Sequence, residues 1–150
     1  MKLFVFSSMN LTNIWAGIGA GLWAVSPQQR DNVGGAIQKA QRMEIGSLGI
    51  LFCKETQALT TPFIVYSSPD PEKEITNVWP ETWALAFRMH VLGNPDKQLP
   101  KDEAQRVLPM FKGNENRNIG HILHLQPVTV FVPVDISPED WKIIIERLAI

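Results

Sequence analysis

Four of the five tryptophans in this 150-residue chain fall in two close pairs, Trp15 with Trp23 and Trp79 with Trp83. The first pair flanks Gly17-Ile18-Gly19-Ala20-Gly21, and the second encloses Pro80-Glu81-Thr82. A core needs few tryptophans, because the indole is large and its N–H wants a partner when buried. Indoles set beside Gly and Pro turns can instead form a stiff cup that grips a flat or cationic guest. The chain is therefore a candidate reader of a planar chemical group. The competing reading for the same residues is simple packing, and that is the expectation for Trp141 in a C-terminal helix.

Other chemistry has little foothold. No Gly-x-Ser-x-Gly occurs to carry a nucleophile. The glycine-rich 17–21 segment lacks the GxGxxG spacing of a dinucleotide site, and there is no Walker lysine. The histidines are His90, His121 and His124. His121 and His124 could share a helical face, yet zinc would want further ligands, and Cys53 is far away in sequence. The expectation is a binding module with no cofactor, no metal and no catalysis. An enzyme acting on a small nucleobase or nucleotide in the same cup would need an acid or base from Glu81, Asp70 or His90.

The elements that must hold such a cup are those of one domain spanning residues 1–150. Hydrophobic residues make up 45% of the chain and charged residues 19%, with a formal net charge of -1. That suits a soluble globule and gives no basic signature of nucleic-acid binding, although a groove can be basic while the far side is acidic. A lone cysteine, Cys53, cannot form an internal disulfide, and no run is long enough for a membrane span. The amino-terminal apolar run is too short for a signal peptide. These features point to a cytoplasmic protein.

Apolar runs at 3–6, 48–52, 60–66 and 128–132 read as strands, as does the imperfect alternation at 83–92. Residues 10–26 read as an irregular glycine-rich loop with at most a helical turn at 11–14. Helices are expected at 33–43, 102–108 and 141–148, the last capped by Ser137 with Pro138 as its first residue. Residues 121–125 fit helix or strand, and 67–74 and 113–118 read as loops. The order implies an α+β fold, a small curled mixed β-sheet or barrel flanked by helices.

Several segments in this order resemble the EVE and YTH branch of the PUA-like superfamily. Leu3-Phe4-Val5-Phe6-Ser7-Ser8 is similar to its first strand. Trp23-Ala24 before a helix resembles its cage tryptophan, and Met43 through Phe52 its helix, glycine and strand. Thr61 through Ser68 fits the next strand. Val78-Trp79-Pro80-Glu81 and Ala86-Phe87-Arg88-Met89 resemble its second cage tryptophan and the strand after it. The resemblance covers residues 1 to about 100.

The resemblance implies that a modified base is flipped into an aromatic cage. Trp23 and Trp79 would be the sandwich, with Trp83 or Leu85 as floor or rim. Ser7, Ser8 or Asn10 would meet the base edge, with backbone groups up to Ser26 as further candidates. Beside the resemblance, Arg30, Lys39, Arg42 and Lys54 are candidates for phosphate contacts, the competing reading being a solvated face. Flipping costs a few kcal/mol, and aromatic stacking returns about 1–3 kcal/mol per base. Two nucleic acids are open. The domain's start at Met1, its glycine-rich first loop and the Trp-Pro-Glu-x-Trp segment favour modified DNA. The chain would then be the specificity module of a modification-dependent restriction system, with cleavage in a fused or associated nuclease. The alternative is a reader of methylated RNA, as in the YTH branch.

Overall fold

An unbroken apolar run is what a strand looks like when both its faces are covered. The computed structural model describes residues 1–114 and 117–150, and in it two such runs form the centre of the sheet. β1 (Lys2–Ser8) and β3 (Leu48–Cys53) pair in parallel, from Leu3 opposite Leu48 to Ser8 opposite Cys53. Successive side chains point to opposite faces. Phe4, Phe6, Leu51 and Cys53 enter one core, and Leu3, Val5, Ile50 and Phe52 enter the other.

The remaining strands are β2 (Leu22–Val25), β4 (Ala58–Val65), β5 (Glu74–Ile75), β6 (Trp83–Val91), β7 (Leu99–Pro100) and β8 (Val134–Asp135). The sheet runs β2-β6-β4-β3-β1-β8, with β5 added to β6 and β7 to β4. Every pairing except β1–β3 is antiparallel. Among the described residues β2 and β8 do not pair with each other, so the sheet is open and mixed. Of the two architectures expected, the sheet is present and the closed barrel is not. Helices α1 (Leu11–Ala20) and α3 (Ala36–Gln41) lie on the first core, through Ile14, Ala36 and Ala40, and the short α2 (Pro27–Asn32) between them buries none of its residues. Helices α4 (Lys101–Val107), α5 (Ile119–Ile122) and α6 (Pro138–Leu148) lie on the second, through Ala104, Ile119, Ile144 and Leu148.

The glycine-rich segment is ordered where a loop was expected, as α1 followed by β2. Asn10 caps α1 by accepting the Asn13 N–H at 2.8 Å, and Glu55 accepts the Leu11 N–H. Gly21 ends the helix in the left-handed conformation, at φ 69°. Such a conformation strains any residue with a Cβ. Gly17 serves a different purpose. A Cβ there would lie 2.8 Å from the Leu22 carbonyl oxygen and 2.9 Å from the Trp23 ring. Its bare backbone lets α1 rest directly on β2 and on that indole.

The helix expected at 33–43 begins later, at Ala36, because a separate short helix, α2, precedes it. No strand forms at 128–132. Pro127–Thr129 is a 3-10 turn, Pro127 and Pro133 flank the 128–132 segment, and Val130 and Phe131 are buried in the first core. Prolines at both ends remove ladder donors and close off pairing. Residues 121–125 resolve as the end of α5 and the turn after it. The middle of the 113–118 loop, residues 115–116, lies outside the described residues. The C-terminal helix has the expected cap, with Ser137 accepting the Asp140 N–H at 3.1 Å.

Candidate functional site

Trp23 sits on β2, at the edge of the sheet, opposite Phe87 of β6. Trp83 opens β6, and Trp79 lies in the turn that leads to it. The pairing of β2 with β6 and the short 79–83 turn therefore bring three indoles together. Trp79 is the central one, its ring centroid 5.7 Å from that of Trp23 and 5.7 Å from that of Trp83. It is buried, and its Nε1–H donates to the Asn13 carbonyl of α1 at 2.9 Å. Trp15 is not part of the group. It stands on α1 with 42% of its surface exposed.

The expected sandwich of Trp23 and Trp79 is not present. The two rings meet edge to face at 85°. A planar guest between parallel walls would need them about 7 Å apart, two contact distances of about 3.5 Å. The indole that shares a cavity with Trp23 is Trp83. Ser7, Ala24, Gln29 and Gln126 line the same cavity. Its free volume is about 30 Å³. A cavity of this size holds water and not a ring.

Trp83 is also a wall of two larger clefts, and so borders all three spaces. One cleft, of about 630 Å³, includes Met9, Asn10, Asn13, Ser26 and Glu81. The other, of about 340 Å³, includes Ser7, Met9, Ser26, Gln29 and Lys54. Trp83 Nε1 is buried and has no hydrogen-bond partner, alone in this among the described side-chain atoms. Two residues further along β6 the alternation breaks. Trp23 and Val25 on β2 pair with Phe87 and Ala84 on β6, so β6 carries one extra residue. Leu85 takes up this bulge in the left-handed conformation, at φ 53°. A bulge bends its strand and re-aims the neighbouring side chains.

Of the residues expected at the base edge, Ser7, Asn10 and Ser26 line these spaces. Asn10 and Ser26 are also the N-caps of α1 and α2. Ser8 is buried and donates its hydroxyl to the Asn10 carbonyl at 2.8 Å, which shapes the exit of β1. Leu85 is fully buried in the first core and is neither floor nor rim.

Of the expected phosphate contacts, Lys54 is exposed and borders a cleft. Arg30 is already engaged, with Asp31 at 2.8 Å and Glu74 at 3.0 Å. Its hydrogen bond to Asp31, then that to Glu74, push its pKa above the ordinary guanidinium value, and the same bond holds Asp31 below the usual carboxylate range. Lys39 lies in the last turn of α3 and Arg42 just after it, and neither lines a cleft beside Trp83.

Sequence reasoning missed Gln29, Gln126 and His124, which line the small cavity. Gln29 did leave a signal, because Ser26-Pro27-Gln28-Gln29 is a capping-box sequence. Gln126 and His124 arrive from a distant loop that no local pattern connects to Trp23. The three candidate acid–base residues are scattered. Glu81 borders a cleft, the Asp70 carboxylate accepts the Glu72 N–H in its own loop, and His90 stacks on Tyr66 near the far end of β6. Among the described residues no cluster of His, Cys, Asp or Glu could hold a metal ion, and no helix is long and apolar enough to cross a membrane.

No family model and no curated protein matches the chain. Solved structures do match. The YTH domain of Pho92, in complex with m6A, aligns over 97% of this chain and 82% of its own, with a TM-score of 0.61 and 15% identity. The YTH domain of Mmi1 aligns over 97% and 93%, at 0.52 and 12%. The YTH-domain protein mmi1 in an RNA complex aligns over 97% and 80%, at 0.53 and 12%. The open mixed sheet, its flanking helices and their order along the chain are thus those of a YTH-like fold.

Proposed function

We propose that this chain is a reader of RNA carrying N6-methylated adenine, and that it takes the flipped base between Trp23 and Trp83. The observation that carries the reading is that two indoles, Trp23 and Trp83, line one cavity, with Trp79 packed edge-on behind Trp23 and fixed by its bond to Asn13. The fold adds support, since the Pho92 structure of like fold holds m6A and the mmi1 structure holds RNA. The same comparisons favour RNA over modified DNA, and nothing in the fold points to a nuclease partner. In this reading Trp83 swings aside, and the small cavity joins the clefts to admit a ring. Stacking on the two indoles offsets the cost of flipping. Lys54 meets a phosphate at the rim, and the walls recognise the methyl group by apolar contact.

The test is a binding panel of short RNAs with and without N6-methyladenine, run beside DNA with 6-methyladenine, 5-methylcytosine or 5-hydroxymethylcytosine at fixed salt. The methylated RNA is expected to bind best. Trp23→Ala and Trp83→Ala are each expected to abolish the preference while the fold persists. Equal affinity for methylated and plain RNA overturns the reading, and a preference for modified DNA reassigns the nucleic acid.

A further inference from the structure

Gln29 holds its carboxamide in an asymmetric position. It is the third residue of α2, and its Oε1 accepts the backbone N–H of Ser26 at 3.3 Å. Ser26 Oγ in turn accepts the Gln29 N–H at 3.1 Å. This reciprocal box needs an oxygen at the inner end of the side chain, which fixes the orientation of the amide. The other end, Nε2, makes no hydrogen bond to another described residue. Gln29 lines both the small cavity with Trp23 and Trp83 and the cleft with Lys54. Capping alone does not call for glutamine, because glutamate completes the box equally well and suits the helix dipole better. What glutamine adds is a neutral donor at the cavity.

We infer that Gln29 is a specificity-determining residue, whose Nε2 donates to a ring nitrogen on the Watson–Crick edge of the captured base. This rests on the base-reader proposal. The cap occupies Oε1, so the amide offers the guest only a donor. A donor there favours bases with an unprotonated ring nitrogen beside an exocyclic amino group, adenine and cytosine, and rejects guanine and uracil, which carry N–H at that position. N6-methylation leaves N1 of adenine free to accept. Selection by edge and selection by methyl group are then separate functions of the cup, the first from Gln29 and the second from the indoles.

The experiment pairs Gln29→Glu with 1-deaza-N6-methyladenine, which lacks the accepting nitrogen, and uses 7-deaza-N6-methyladenine as control. Glutamate keeps the cap, so the melting temperature is expected to hold or rise. For wild type, the 1-deaza substitution is expected to cost tenfold or more in affinity, and the 7-deaza substitution little. Gln29→Glu is expected to weaken binding of the N6-methyladenine RNA by a similar factor and to be indifferent to the 1-deaza change. All the oligonucleotides carry the same phosphate charge, so the comparison cancels the general repulsion from the new carboxylate. A folded Gln29→Glu protein that still loses tenfold on the 1-deaza change overturns the inference alone. A wild type that does not distinguish methylated from plain RNA overturns the base-reader proposal and this inference with it.

Discussion

Gly17 and Gly19 stand two residues apart in α1, and replacing each by alanine has opposite expected outcomes. On intrinsic propensity, alanine is favoured over glycine in a helix by about 1 kcal/mol, and by less near the helix end where Gly19 sits. At Gly19 an added Cβ meets nothing within 4 Å, so Gly19→Ala should stabilise the protein by up to about 1 kcal/mol. At Gly17 the same methyl would lie 2.8 Å from the Leu22 carbonyl oxygen and 2.9 Å from the Trp23 ring. Neither neighbour can yield cheaply. One is backbone, and the other is an indole only 3% exposed. Overpacking of this kind costs about 1–3 kcal/mol, which outweighs the gain in propensity. The two variants should differ by about 2 kcal/mol, or about 4–8 °C in melting temperature for a chain of this length. Thermal or urea unfolding of both proteins measures the gap. Gly17→Ala should also weaken binding of methylated RNA, because the clash moves the Trp23 wall. A Gly17→Ala protein as stable as Gly19→Ala would refute the reasoning that contact at this position overrides propensity.

Other perturbations separate the roles of neighbouring groups. Trp79→Phe removes the buried N–H that meets the Asn13 carbonyl and should cost about 1–2 kcal/mol of stability, read by urea unfolding. Lys54→Ala should lower the slope of log affinity against log salt by about one unit. Arg30→Gln should leave that slope nearly unchanged, because Asp31 and Glu74 already hold the guanidinium. Measuring RNA binding across a salt series distinguishes the two.

How much of this was legible depends on how local each cause was. The runs around Val5 and Ile50 announced strands buried on both faces, and Ser137-Pro138 announced the start of a helix, because those signals lie within a few residues. Gly17, Gly19 and Gly21 argued against a helix on propensity, yet contact of α1 with β2 requires the first and termination of the helix the last. Tertiary contact decided against propensity, and no sequence window contains that contact. The valines near residue 130 carried strand propensity without an available partner edge. At the site, spacing along the chain paired Trp15 with Trp23. The sheet instead joined Trp23 to Trp79 and Trp83, because β2 and β6 are neighbours although about 60 residues separate them in sequence. Resemblance pointed to three tryptophans that do meet in space, but its facing pair, Trp23 and Trp79, meets edge to face, since ring angles leave no trace in a sequence. Ser26, which borders the clefts, was named at the base edge, while its capping partner Gln29 was overlooked because residues 28–32 were read only as a polar stretch.

The shared wall formed by Trp83 has a consequence for timing. In the proposed reader a ring fits only while the Trp83 wall stands aside, so the measured affinity would be the intrinsic affinity scaled down by that fraction of time. Encounter would then be slow, and escape slow as well, because a guest would wait for the same movement. Shaving the indole to a smaller side chain would speed both steps, leaving a protein that samples many strands and keeps none of them for long.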